Sequence, residues 1–341
     1  GQIVLTFVHK CYIIKMNKIT VYVQMNKRGD DMDMQRRTMT MISKLYYEEN
    51  MTQQQIAKQT GLSRMKVSRI LQKAKEEGIV RIIIDYSGVY PELEQDIKGK
   101  YKLKDVVIVD TSIGNSSKEQ VASAAAYYLE RHLESGSTVA VGWGSTMRLI
   151  PDYIQKMDDP ELLFSPIIGG HGQSELDMHA TTIASNLAKK TGGRSLSLIA
   201  PALVKNKEEK TFLSDDNQVK RVIERTSQAE YAVFSLGNPL AKDSSIKKSG
   251  YISEADLRQL EKEDAICDVV SVVFLDKNSQ ICCENITERC IGITEEQLKK
   301  IPNKICVVEG REKYDSVRSA LEAGYIDILV TDQDTAEYLS K

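Results

Sequence analysis

Residues Thr52–Gly78 read TQQQIAKQTGLSRMKVSRILQKAKEEG. Thr52 N-caps a helix over Gln53–Thr60, since its side-chain oxygen accepts a backbone N–H that a helix start leaves unpaired. Gly61 ends that helix, supplying the left-handed conformation of a tight turn. Leu62 follows, and Ser63 N-caps a further helix running to about Glu77. Ala57 supplies the small side chain that two steeply crossing helices need at their closest approach. Ile56, Leu62, Val67 and Ile70 fall on the inner faces. Upstream, Met39, Ile42, Leu45 and Tyr46 recur at helical spacing and predict a first helix from about Arg36 to Glu49. Three helices with this turn make the helix-turn-helix arrangement that lays its last helix in a DNA major groove.

The outward residues agree with that reading. Ser63, Arg64, Lys66, Ser68 and Arg69 cluster at the start of the third helix, as donors able to reach base edges and phosphates. Gln53 and Gln54 open the second helix, where its N-terminus would meet the phosphate backbone. Charge adds weight. The 341 residues carry a net charge of only −2. Split by segment, residues 35–81 hold +6, residues 1–34 hold +2, and the remainder holds −10. A small basic module is joined to a large acidic body, and the basic module is an electrostatic footprint for double-stranded DNA.

Length and composition frame the rest. At about 100–200 residues per domain, two or three domains are expected. The chain is 41% hydrophobic and 28% charged, which excludes collagen-like and disordered classes for the whole. The apolar run Ile3–Ile14 is interrupted by His9-Lys10 and is too short to span a bilayer, so no membrane segment is expected. Cysteines at 11, 267, 282, 283, 290 and 306 are too few and too irregular for a disulfide framework. Cys282-Cys283 with Cys290 invites a metal site, but no C-x-x-C or histidine partner stands near them in sequence. They read as structural thiols, with no metal and no cofactor, in a reduced, cytoplasmic protein.

Residues 1–34 show no usable periodicity and read as a poorly ordered extension. Ile79–Ile84 reads as a strand, a small wing or the start of a linker. The helix-turn-helix domain is therefore placed at 35–85, and a linker with a weakly amphipathic helix from Pro91 at 86–104. From Val106, apolar strands alternate with helices through 105–341. Strands are expected at Val106–Val109, Thr138–Val141, Leu163–Ile168, Ser195–Ile199, Tyr231–Leu236, Val269–Leu275, Lys304–Val308 and Ile326–Val330. This alternation predicts a largely parallel α/β sheet covered on both faces. Ligands of such sheets bind outside the carboxyl ends of the strands.

Two loops at those ends stand out. Gly142-Trp143-Gly144-Ser145-Thr146 offers flexible backbone, free N–H groups and two hydroxyls to a small phosphate. It is not a dinucleotide fingerprint, because Met147 replaces the third glycine, and it lacks the G-K-[ST] of a Walker loop. Glu309-Gly310-Arg311-Glu312-Lys313 leads from a strand into a helix, and Lys313 could pair with a phosphate.

Three stretches together carry a family likeness. They are Leu62–Leu71 continuing to Val80, Val141–Met147, and Ile305–Lys313 with Ala320-Leu321, Val330-Thr331-Asp332 and Thr335-Ala336. On these the chain, over roughly residues 36–341, resembles the SorC/DeoR-type sugar-binding transcriptional regulators of bacteria. The resemblance implies an N-terminal all-α, winged-helix-like helix-turn-helix domain. It also implies a C-terminal Rossmann-like α/β domain similar to sugar-phosphate isomerases and deaminases. It implies a repressor or activator of carbohydrate catabolism (sugar or deoxyribonucleoside) that answers to a phosphorylated sugar, assembled as a tetramer or dimer of dimers. The phosphate would fall on Gly142, Gly144, Ser145 and Thr146, with Gly310 and Lys313 opposite. Gly169, Gly170 and Asp268 would line the sugar side.

The competing reading is a sugar-phosphate isomerase or deaminase with a DNA-binding appendage. Isomerisation needs a positioned general base, and His171, Glu175, Asp177 and His179 cluster after Gly170. No acid–base motif accompanies them, so ligand sensing is preferred and no catalytic residue is assigned.

Overall fold

The structure, a computed structural model, describes residues 35–80, 90–111, 116–155, 157–170, 172 and 175–341, and the backbone of residues 6–8, 11–16, 19–24 and 30–34. The chain forms two compact units, residues 1–85 and 86–341.

The first unit opens with three short strands, β1 (Thr6–Val8), β2 (Cys11–Met16) and β3 (Ile19–Gln24), paired antiparallel in that order. They lie in the stretch expected to be a poorly ordered extension, and β2 and β3 are rich in β-branched and aromatic residues. Three helices follow: α1 (Asp30–Tyr47), α2 (Gln53–Thr60) and α3 (Arg64–Glu76). The first begins six residues before the expected Arg36. Thr52 caps α2 reciprocally. It accepts from the Gln55 N–H at 3.2 Å, and its own N–H donates to Gln55 Oε1 at 2.8 Å. Gly61 is left-handed at φ 72°, and Ser63 accepts from the Lys66 N–H at 3.2 Å. Ile42, Ile56 and Val67 are fully buried between the helices. Each contributes roughly 1.5–3 kcal/mol in a unit with few other apolar residues to bury. Ile79 and Val80 close the bottom of α3 against Met39 and Ala74. The rest of the strand expected at Ile79–Ile84, residues 81–84, lies outside the described residues.

The second unit begins with α4 (Pro91–Tyr101), expected as a linker helix but packed into this unit. Ile97 is fully buried, Tyr90 donates to Gln333 Oε1 at 2.6 Å, and Lys100 donates to the Leu339 carbonyl at 2.8 Å. Its apolar face is too sparse to reveal this from pattern alone. After it come β4 (Asp105–Val109), α5 (Ser117–His132), β5 (Thr138–Val141), β6 (Leu163–Pro166), β7 (Arg194–Ser195) and β8 (Tyr231–Phe234). Strands β9 (Leu236–Gly237), β10 (Cys267–Val269), β11 (Val273–Leu275), β12 (Ile281–Cys282), β13 (Asn303–Val308) and β14 (Ile328–Asp332) complete the set.

Seven strands form one parallel sheet in the order β4-β14-β13-β8-β5-β6-β7. Apolar clusters cover both faces, as the continuous apolar strands predict. The expected strand at Ser195–Ile199 stops at Ser195, and Ile199 is 90% exposed. The expected strand Val269–Leu275 is two strands. Val270 and Ser271 are both left-handed, at φ 50° and 60°, and reverse the chain between β10 and β11. Its apolar run gives no sign of a turn. The two halves join β9 and β12 in a small antiparallel sheet, β12-β11-β10-β9.

Candidate functional site

In the first unit the basic face is in place. Arg64, Lys66, Ser68 and Arg69 are exposed, as are Gln54 and Ser63, while Gln53 is half-buried. The side chains of Arg64, Lys66 and Arg69 form no ion pair or hydrogen bond among the described residues. A row of unneutralised cations on the helix that follows a tight turn is what a phosphate backbone requires. The Ser63 hydroxyl oxygen is committed to capping α3, so its first role is to fix where the helix begins.

In the second unit the chain runs from β5 outward to β6 on one side, and from β8 to β13 on the other. The strand order therefore reverses between β8 and β5, and the crevice above their carboxyl ends is the expected ligand position. The two loops picked out from the sequence border it.

At the β5 end, Gly142 is a packing glycine. Its N–H donates to the Val233 carbonyl at 2.8 Å, and a Cβ would lie 2.7 Å from Phe234 Cβ and 2.8 Å from Val270 Cγ1. Gly144 adopts φ 127°, and its N–H is taken by the Met178 carbonyl at 3.1 Å, which draws the segment before His179 to the loop. The N–H groups of Ser145 and Thr146 have no backbone acceptor among the described residues. Thr146 is 1% exposed, and its hydroxyl is buried without a partner. Such a group costs roughly 1–3 kcal/mol unless a ligand or water completes it.

At the β13 end, Glu309 is buried and Gly310 takes φ 100°. The Gly310 N–H donates to Asp332 Oδ2 at 3.1 Å, and Asp332 also caps the last helix through the Thr335 N–H at 2.8 Å. One carboxylate thus fixes the loop to the end of β14. Burial pushes the Lys313 ammonium down from its ordinary value, while Glu309 and Glu312 hold it up and Lys118 pushes it down further. Lys118 is a site residue that motif reading missed. From the first turn of α5 its ammonium donates to Ser145 Oγ at 3.2 Å and stands 4.0 Å from Glu309 Oε1. A lysine in a helix's first turn opposes the macrodipole, and that was the available signal. Ser145, Lys118, Glu309 and Lys313 therefore form one cluster.

The sugar-side residues are distributed. Val270 packs against Gly142, which places the strained turn and Asp268 beside the β5 loop. Asp268 Oδ1 accepts from the Ser271 N–H at 2.5 Å. Burial raises its carboxyl to about 7, against the Ser271 hydrogen bonds that lower it. Below the ordinary value of 3.8 both folded and unfolded chains keep this proton. Above it the unfolded chain ionises first, so this group lowers stability progressively up to about pH 7 and by a constant amount beyond. Asp268→Asn, which keeps the accepting oxygen, is therefore expected to raise the melting temperature more at pH 8 than at pH 5. Equal changes at both pH values would show that the carboxyl ionises without penalty.

Gly169 is held by backbone on two sides. A Cβ there would lie 2.4 Å from the Ala200 carbonyl oxygen and 2.6 Å from that of Pro201. Close packing of backbone against backbone is therefore what demands this glycine. Gly170 lies beside His179, whose Nδ1 would be 3.3 Å from a Cβ there. Two of the candidate bases of the enzyme reading are paired with an arginine. Arg148 Nη1 is 2.5 Å from Asp177 and 3.5 Å from Glu175. His179 sits at the N-cap of helix Ala180–Thr191, and His171 lies outside the described residues.

Comparison with known proteins agrees with both units. Residues 90–340 match the family model described as "Putative sugar-binding domain", and residues 38–76 match "Sigma-70, region 4". The chain is 31% identical to the sorbitol operon regulator of Klebsiella pneumoniae over 315 residues, covering 89% of this chain and 98% of that one. It is 30% identical to the deoxyribonucleoside regulator of Bacillus subtilis over 300 residues, covering 87% and 95%. The crystal structure of full-length SorC from Klebsiella pneumoniae superposes with a TM-score of 0.73 at 29% identity, covering 92% of this chain and all of that one. These relatives are transcriptional regulators and not enzymes, and no described helix is long and apolar enough to cross a membrane. A helix-turn-helix unit is followed by a parallel α/β unit that matches the sugar-binding family model over nearly all its length, and the chain belongs to the SorC/DeoR family of sugar-binding transcriptional regulators.

Proposed function

We propose that this regulator controls a carbohydrate or deoxyribonucleoside operon and that a small phosphorylated sugar sets its affinity for operator DNA. The observation that carries the effector class is the β5 loop. The buried, unpartnered Thr146 hydroxyl and the free N–H groups of Ser145 and Thr146 share a cluster with Lys118 and Lys313. Hydroxyl and amide donors combined with two ammonium groups suit a phosphomonoester dianion. Asp268 and Gly170 border the part of the ligand that carries hydroxyls.

The regulator acts as a homo-oligomer, a tetramer or dimer of dimers, in which two recognition helices enter successive major grooves. Effector binding favours one arrangement of the oligomer and so changes the spacing of those helices. Gln53, Gln54, Arg64, Lys66, Ser68 and Arg69 meet the DNA. Arg69→Ala is expected to weaken operator binding about tenfold and to lower its log–log salt slope by about 1. Fluorescence anisotropy at several salt concentrations measures both, and unchanged affinity would remove Arg69 from the interface.

A thermal-shift comparison of pentose and hexose phosphates with the same sugars lacking phosphate tests the effector class. A phosphomonoester present at 100 times its dissociation constant should stabilise the chain by about 2.7 kcal/mol. An equal shift with an unphosphorylated sugar would overturn the phosphate assignment.

A further inference from the structure

Cys282 and Cys283 are adjacent at the end of β12, where neighbouring side chains would ordinarily point to opposite faces. Here Cys283 leaves the strand in the left-handed conformation at φ 56°. Both sulfurs then lie on one side, and with a carboxylate oxygen of Glu263 all three atoms fall within 4.8 Å of one another. Glu263 follows the helix Glu254–Lys262, so the sequence alone keeps it apart from the cysteines. Its carboxylate is already positioned. Oε2 accepts the Cys283 N–H at 2.6 Å, and Oε1 accepts from the Gln259 amide. Cys283 is 1% exposed and Cys282 8%, whereas Glu263 is half-buried and gives access from solvent.

Two thiols and a carboxylate are the donor set that zinc-class ions take. Tetrahedral coordination, with metal–sulfur at about 2.3 Å and metal–oxygen at about 2.1 Å, spaces such ligands by roughly 3.5–3.8 Å. The side chains need to close by about an ångström, which small rotamer adjustments supply.

We infer that Glu263, Cys282 and Cys283 form a binding site for a thiophilic divalent cation of the zinc class, with water in the fourth position. As the two metal–sulfur bonds form, the two thiol protons pass to solvent, and no oxidation or reduction is involved. The ion ties the helix Glu254–Lys262 to the edge of the small antiparallel sheet. In that sheet Cys282 pairs with Phe274, and Phe274 pairs with Asp268. The metal therefore sits on the cross-strand row that contains Asp268, two strands or roughly 10 Å away.

The test uses the full chain, reduced and stripped with a chelator, and titrated with cadmium(II). A thiolate-to-cadmium absorption band that saturates at one ion per chain and is displaced by zinc(II) is expected. Cys283→Ser and Glu263→Gln should each weaken binding about tenfold or more. Cys306→Ser, a buried thiol on β13, should leave it unchanged. No band on the wild-type chain, or undiminished affinity in Cys283→Ser, would overturn the site. If that variant fails to fold, Glu263→Gln decides, since unchanged affinity there removes the carboxylate ligand and with it the proposal. A peptide holding both cysteines that is two hydrogens lighter before reduction than after it would show a Cys282–Cys283 disulfide in its place and would equally overturn it.

Discussion

Gly169→Ala is expected to destabilise the second unit by about 3 kcal/mol. For a unit of this size that lowers the melting temperature by roughly 6–12 °C. The added methyl would meet the carbonyl oxygens of Ala200 and Pro201 at 2.4 and 2.6 Å. Neither side can yield cheaply. The Gly169 N–H is bonded to the Ile291 carbonyl at 2.9 Å, and the Gly170 N–H to the Ala200 carbonyl at 2.9 Å. Any shift that relieves the overlap breaks one of these bonds within a close-packed layer. Gly324→Ala is the comparison. Gly324 has φ 77° and open space where the new methyl would sit, so only the left-handed penalty of roughly 1–2 kcal/mol applies. Calorimetry on the two variants separates the effects. A loss at Gly169 no larger than that at Gly324 would mean the segment moves freely, and the glycine would then return to the ligand-lining role read from sequence.

Lys313→Met is expected to weaken a phosphorylated effector by about 100-fold, equivalent to roughly 2.7 kcal/mol, while leaving operator affinity without effector unchanged. The side chain keeps its apolar stem and loses its charged end. A phosphate brought into this crevice would then face the buried Glu309 with one fewer compensating ammonium. Removing one member of a desolvated charge pair costs 2–5 kcal/mol or more, largely because the other is left unpaired. Lys118→Met should have a smaller effect, since the Lys118 side chain is 39% exposed and stands 4.0 Å from Glu309. Titration calorimetry with the best ligand from the sugar-phosphate screen gives both values. Wild-type affinity in Lys313→Met would place the phosphate elsewhere.

What was legible in the sequence was what local chemistry writes into neighbouring residues. Thr52, Gly61 and Ser63 each act on the backbone within three positions, so the caps and turn of the helix-turn-helix read directly. The apolar runs of β5, β8, β13 and β14 likewise announced a parallel sheet, and its carboxyl edge announced where to look for a ligand. The remainder depends on contacts between distant residues. The weak apolar face of α4 hides that Ile97 is fully buried. The run Val269–Leu275 conceals a reversal at Val270 and Ser271, because two left-handed non-glycine residues carry no compositional mark. Gly142 and Gly169 were read as room for a ligand, yet what crowds them is Phe234 and Ala200, each far away in sequence. Lys118 reaches Ser145 across 27 positions, and Glu263 reaches Cys283 across 20. No spacing rule links such pairs.

The Lys118–Glu309 contact bears on selectivity in a crowded solution of anions. A pocket lined only with ammonium groups and amides would fill with whatever inorganic phosphate or chloride surrounds it. Here a carboxylate 4.0 Å from the ammonium already serves as counter-ion, attached to the same chain. A tethered competitor acts at an effective concentration in the millimolar range or above and forfeits no translational freedom when it pairs. Small free anions must outcompete it on charge alone. A larger ligand also gains from its hydroxyls and carbon frame, and it can offer Glu309 a hydroxyl donor once the ammonium is withdrawn. For the phosphorylated effector proposed above, the resident carboxylate would set a threshold that screens out background anions.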